Sequence, residues 1–181
     1  MPILHIRRSG AAKAQNRRAG QLKHYLPDER FMSAALAAAR KAMANGQTPF
    51  GCCIVRNGKI VARAHNNVWG NTDSTAHAEV NAIRQACRKL RTIDLVGCTL
   101  YSTCEPCPMW FGACHWARVT RVVFGARISD ARAAGFHELG ISAARMNKAG
   151  GNEIRLDGGI LRDKALALFR EWAERPDARS Y

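Results

Sequence analysis

Thr75-Ala76-His77-Ala78-Glu79-Val80-Asn81-Ala82-Ile83 and, some thirty residues beyond His77, Cys104-Glu105-Pro106-Cys107-Pro108-Met109-Trp110 decide how the chain is read. In the first segment Ala78, Ala82, Ile83 and Ala86 recur at helical spacing, so a helix is expected from Ala76 to about Leu90. Before the second, Cys98–Ser102 has the composition of a buried strand. The Glu105-Pro106 step breaks it, and Cys107 to Ala117 resumes as a helix whose first turn follows the proline. Two helix N-termini brought together aim His77 and Cys107 at one point, where their dipoles favour an anion or a thiolate. Glu79 stands two residues from His77 and so faces a different side of its helix. By itself it reads as an ordinary first-turn acid; beside His77 and Cys107 it reads as a functional group.

Outward from this pair the pattern is regular. Asp28 caps a helix to about Ala44 that carries Phe31, Leu36, Ala39 and Met43 on one side, with Gly46 just beyond its end. Asn57-Gly58 joins strands Cys52–Val55 and Ile60–Ala64 in a tight hairpin. A polar loop runs from Asn66 to Ser74. Downstream come a strand at Val119–Phe124, a loop holding Asp130 and Gly135, a weak strand at Glu153–Leu156, and a helix from about Leu161 to Glu174. The order implies an α/β fold, a three-layer α/β/α sandwich around a central mixed sheet of about five strands. Residues 1–27 read as a basic extension and 28–181 as one domain, with a tail at 175–181.

The 181 residues suit a single domain, and no apolar run reaches the roughly 18–20 residues of a membrane-spanning helix. The N-terminus lacks the apolar stretch of a secretory signal. Seven clustered cysteines suit reduced thiols and metal ligands better than disulfides, which implies a cytoplasmic protein. The net charge of +14 admits a nucleic-acid partner. Seven basic residues fall within positions 1–30, against Asp28 and Glu29. A solvated tail is weighed above a nucleic-acid arm, because charge runs most often simply face water.

Zinc-dependent nucleobase deaminases combine an H-x-E segment with P-C-x-x-C: an imidazole and two thiolates hold the ion, and the glutamate shuttles protons for the bound water. Pro49-Phe50-Gly51, His65-Asn66-Asn67-Val68, Thr75 to Val80, Cys104 to Met109, Trp116-Ala117-Arg118 and Asp130 through Gly135-Phe136 together resemble the bacterial guanine deaminases of the cytidine-deaminase superfamily. The resemblance covers roughly residues 30–181. The tRNA adenosine deaminase branch shares most of it but usually has leucine at the place of Cys104 and asparagine at that of Trp116. The resemblance implies His77 and Cys107 as zinc ligands and Glu79 as proton shuttle. It implies Asn66 and Ala78 at the purine, Phe50 and Trp116 sandwiching its ring, and Asp130 touching the base or assisting proton transfer. Tyr181 would close the site of its own or a partner subunit, in a homodimer. Each has a plainer reading: Phe50 and Trp116 as core aromatics, Asn66 as a turn residue, Asp130 as a cap, Tyr181 as a frayed end.

The chain departs from that pattern at Trp110, which stands where the second cysteine belongs. An indole N–H is a donor only and binds no zinc. Cys104 would supply the thiolate in a shifted C-x-x-C chelate. Cys114, seven helical residues or roughly 10 Å along from Cys107, is too far for one tetrahedral ion. Otherwise the metal is held weakly or not at all. The expected reaction is deamination of a free amino-purine, guanine to xanthine. The alternatives are tRNA adenosine deamination and a metal-deficient purine-binding homologue.

Overall fold

The computed structural model describes residues 26–151 and 153–181; the expectation for the basic extension falls almost wholly on residues 1–25, outside the described residues. Asp28 accepts from the main-chain N–H of Arg30 at 2.9 Å and so starts α1, Glu29–Ala44. This helix buries Met32, Ala35, Leu36, Ala39, Ala42 and Met43 on the sheet. The hairpin follows as β1, Gly51–Arg56, and β2, Lys59–His65. Asn57 and Gly58 both take positive φ, 51° and 71°, which is the turn twist that keeps two right-twisted strands paired.

The remaining elements are α2 (Val68–Asn71), α3 (Ala78–Leu90), β3 (Cys98–Cys104), α4 (Pro108–Trp116), β4 (Arg121–Ala126), α5 (Ile128–Ala133), α6 (Ala143–Ala149), β5 (Arg155–Gly158) and α7 (Arg162–Ala173). The sheet has five strands in the order β2-β1-β3-β4-β5. β1 pairs antiparallel with β2 and β3, while β3, β4 and β5 run parallel. The parallel β3–β4 step needs a crossover, and α4 supplies it. α1 and α7 cover one face; α3 packs on β1 and β2 from the other, with α4 beside it. The mixed three-layer sandwich expected from the sequence is therefore the fold. Among the described residues no helix is long and apolar enough to cross a membrane.

Two stretches expected as loops carry short helices instead: α2 in the segment after Asn66, and α5 and α6 around Asp130 and Gly135. Neither stretch has an apolar period of its own. Tertiary hydrogen bonds start α5 and α6: the buried carboxylate of Glu105 accepts from the N–H of Ile128 at 3.2 Å and of Ala143 at 2.9 Å. Helix starts held by a distant carboxylate leave no local sequence signal.

The contact between α1 and β1 depends on Gly51, where a Cβ would lie 2.2 Å from the Ala35 carbonyl oxygen and 2.4 Å from the Ala39 nitrogen. Backbone on both sides leaves nothing to rotate away. Gly51→Ala is expected to lower stability by about 3 kcal/mol, the upper end of ordinary overpacking, measured by urea unfolding; an unchanged midpoint would contradict this packing.

Candidate active site

His77 and Cys107 stand immediately before α3 and α4, both with extended backbone, so each side chain projects from a helix start. His77 Nδ1 and Cys107 Sγ are 3.9 Å apart. Burial holds the imidazole down to about 4, hence neutral at physiological pH, with Asp73 opposing the shift. Burial likewise pushes the Cys107 thiol up to about 12, against the N–H groups of Trp110 and Met109 that point at its sulfur.

Glu79 is 2% exposed in the first turn of α3 and accepts a hydrogen bond from the Ser102 hydroxyl on β3. Burial raises its carboxyl to about 7, the Ser102 bond pulls the other way, and Glu138 adds a further upward push. A carboxyl poised near neutrality in a dry site is suited to accept and return a proton. Ser102 and Glu138 were not singled out by sequence. Ser102 had a weak signal, a hydroxyl inside a buried strand; Glu138, an isolated acid in a loop, had none. Glu138 is half-buried and raised by that burial, and its charge reaches Glu79, Cys104, Cys107 and Tyr181.

Asn66 ends β2 fully buried. Its Oδ1 accepts from the Val68 N–H at 3.1 Å, and its Nδ2 donates to the Tyr181 hydroxyl at 2.6 Å. The Tyr181 ring lies 5.7 Å from that of His77 and 6.1 Å from that of Trp69. The tail is pinned along its length: Trp172 Nε1 donates to the Arg179 carbonyl at 3.2 Å, Arg179 sits 4.2 Å over the Trp69 ring, and the Tyr181 carbonyl accepts from the His137 N–H at 3.0 Å. Ala78 is buried between His77 and Glu79.

Three residues lie elsewhere than expected. Trp116 is 84% exposed at the far end of α4, about 14 Å along the helix from Cys107, and does not face Phe50. Phe50 packs edge-on against Phe136 at 4.9 Å and Phe169 at 5.8 Å instead, so the two do not sandwich a ring within this chain. Asp130 is fully engaged, accepting from the Arg127 N–H at 2.7 Å and from Arg162 at 2.8 Å, and this pairing holds its carboxyl below the usual range. It braces α5. Cys104 ends β3 with its thiol toward the Arg127 carbonyl at 3.6 Å.

Residues 26–126 match the family described as the cytidine and deoxycytidylate deaminase zinc-binding region, and the chain belongs to that family. It is similar to the guanine deaminase of Bacillus subtilis, 46% identical over 111 residues that cover 61% of this chain and 71% of the relative. The tRNA-specific adenosine deaminase of the same organism is 50% identical over 99 residues, 55% of this chain and 62% of the relative. The solved guanine deaminase of Nitrosomonas europaea superposes with a TM-score of 0.74 at 32% identity, covering 94% of this chain and 97% of that one. The chain is thus a hydrolase of the zinc-dependent deaminase class.

The donor set meets part of what zinc requires. A tetrahedral ion with bonds near 2.0–2.1 Å to nitrogen and 2.3 Å to sulfur separates those two ligands by about 3.5 Å, close to the observed His77–Cys107 spacing. The third protein ligand is lacking: Trp110 is buried at 2% exposure, and among the described residues no three His, Cys, Asp or Glu side chains converge. Cys104 therefore does not complete the set. Trp110→Cys restores a thiolate three residues from Cys107 and is expected to raise zinc to near one per chain by elemental analysis; unchanged zinc content would show that Trp110 is not the obstacle.

Proposed function

We propose that the protein hydrolytically deaminates a free amino-purine base, guanine foremost, to xanthine and ammonia. Glu79 supports this reading above all: a carboxyl held near neutrality beside the His77–Cys107 pair. As water adds to the amidine carbon, Glu79 takes its proton and hands it to the adjacent ring nitrogen. A second transfer, to the exocyclic amine, lets the C–N bond break and ammonia depart. The Ser102 hydroxyl keeps the carboxylate oriented through both transfers. In the family the bound metal acidifies the attacking water; here His77 and Cys107 would hold such an ion.

Asn66 offers the base the second N–H of its Nδ2, the first being directed at the Tyr181 hydroxyl and its Oδ1 at the Val68 N–H. That donor suits the acceptor edge of a purine. Glu138 provides a second carboxylate for purine N–H groups. The tail argues for a free base over an anticodon loop, since Tyr181 reaches Asn66 and a macromolecule would first have to displace it. By the family analogy we take a homodimer as the working unit. Purine binding without turnover is a second reading, and Trp110 favours it.

Zinc-supplemented protein should release ammonia from guanine, and no ammonia from guanine, cytosine or adenosine would remove the enzymatic reading. Glu79→Ala should lower kcat by about 10³-fold while leaving guanine binding within about threefold, the range a general acid–base supplies; unimpaired turnover would contradict the assigned role. Removal of residues 175–181 should raise the KM for guanine by about tenfold, a loss of roughly 1.4 kcal/mol. Activity on an anticodon stem-loop gained at the same time would favour the tRNA reading.

A further inference from the structure

β2 is an edge strand, and both helical layers overhang its free side. The result is a groove of about 630 Å³ running along the strand and separate from the Glu79 site. From α3 the stripe Asn81, Arg84, Gln85 and Arg88, spaced for one helix face, lines one wall; Lys41 of α1 lines the other and Arg63 of β2 the floor. Lys41, Arg63, Arg84 and Arg88 are all exposed, and none of the groove's lining residues is a carboxylate. The nearest ion pair is loose, Arg84 to Asp73 at 3.9 Å. Residues 1–25 contain no Asp or Glu that would neutralise these cations.

The strand itself argues against a second copy of the chain. Asn66 N–H donates to Phe50 across the end of the β1–β2 ladder, and Gly51 N–H turns toward Thr103 on β3. Alternation then directs the main chain of His65 and Arg63 outward to the free edge. Edge-to-edge pairing would place the Arg63 of two copies and their flanking cations against one another, the charge pattern by which natural sheets repel self-association. An inserted peptide strand needs apolar pockets for alternate side chains; this groove offers only small alanines, Ala37 and Ala38 from α1 and Ala64 from β2. Four cations with side-chain amides between them, in an open polar groove, match a phosphodiester backbone.

We propose that the β2-edge groove binds the phosphodiester backbone of a single-stranded nucleic acid, independently of the purine site. The probe is a fluorescein-labelled, mixed-sequence 20-nucleotide single-stranded RNA, titrated with the full chain at several salt concentrations and followed by anisotropy. Changing Arg63, Arg84 and Arg88 together to Glu should weaken binding at least tenfold at 100 mM salt. It should flatten the slope of log K against log salt by about 2, three contacts at roughly 0.7 each. Guanine binding should not change. A matched variant, Lys148, Lys164 and Arg170 to Glu, alters net charge equally on α6 and α7, away from the groove, and should cost little. Equal losses in the two variants, an unaffected groove variant, or displacement of RNA by poly-glutamate at equal charge concentration would each overturn the proposal. The same sequence as DNA should also bind, because the contacts are to phosphate; failure of DNA to bind would overturn the backbone reading.

Discussion

Burial of one carboxyl, Glu79, under one serine hydroxyl is the constraint around which the site is built. A carboxylate withdrawn from water costs several kcal/mol unless it is hydrogen-bonded or takes up a proton. Here it does some of both: Ser102 on β3 supplies the bond, and the raised pKa keeps the protonated form accessible near neutrality. The first turn of α3 must therefore sit at a fixed height over β3. That height depends on the antiparallel β1–β3 register and on α3 lying across β1 and β2. The hairpin made by Asn57-Gly58, distant from any chemistry, is thereby part of the catalytic geometry.

A second buried acid organises the other half of the site. Glu105 belongs to the motif that announces the cysteine, yet its carboxylate is spent on the amide groups of Ile128 and Ala143. Through those bonds it draws α5 and α6 toward the end of β3. Asp130 works alongside it, tying α5 to α7 through Arg162. The loop between α5 and α6 then carries Phe136 and Glu138, and the His137 N–H holds the Tyr181 carbonyl. These acids thus divide their work: Glu79 is buried in the first turn of α3 under Ser102, while Glu105 and Asp130 shape the wall that carries Glu138 and meets Tyr181.

The parts legible in the sequence were those with a local physical signature. Helix periodicity, the Asn-Gly turn and the proline break fixed the element order, and with it the mixed sheet. Boundaries moved by no more than two residues, and β3 extends to Cys104 because pairing with β4 continues to Ala126. His77, Glu79 and Cys107 were legible because a two-part motif places each at a helix start. Ser102 and Glu138 were not, since each acquires its role from a neighbour more than twenty residues away. Trp116, a residue type suggestive of base stacking, lies exposed at the far end of α4, nine residues from Cys107.

Trp110 bears on stability as well as on chemistry. In a complete zinc site the ion cross-links the two helix starts, and metal affinity is in part folding free energy. Here Trp110, three residues after Cys107, is buried at 2% exposure in the same core as Cys114, Phe111 and Cys107. A fully buried tryptophan withdraws roughly 200 Å² from water, worth about 5 kcal/mol by area. That apolar burial stabilises the start of α4, where His77 Nδ1 and Cys107 Sγ stand 3.9 Å apart. Exchanging Trp110 for cysteine would give up that burial for a thiolate, so stability and metal affinity would pull against each other at this position.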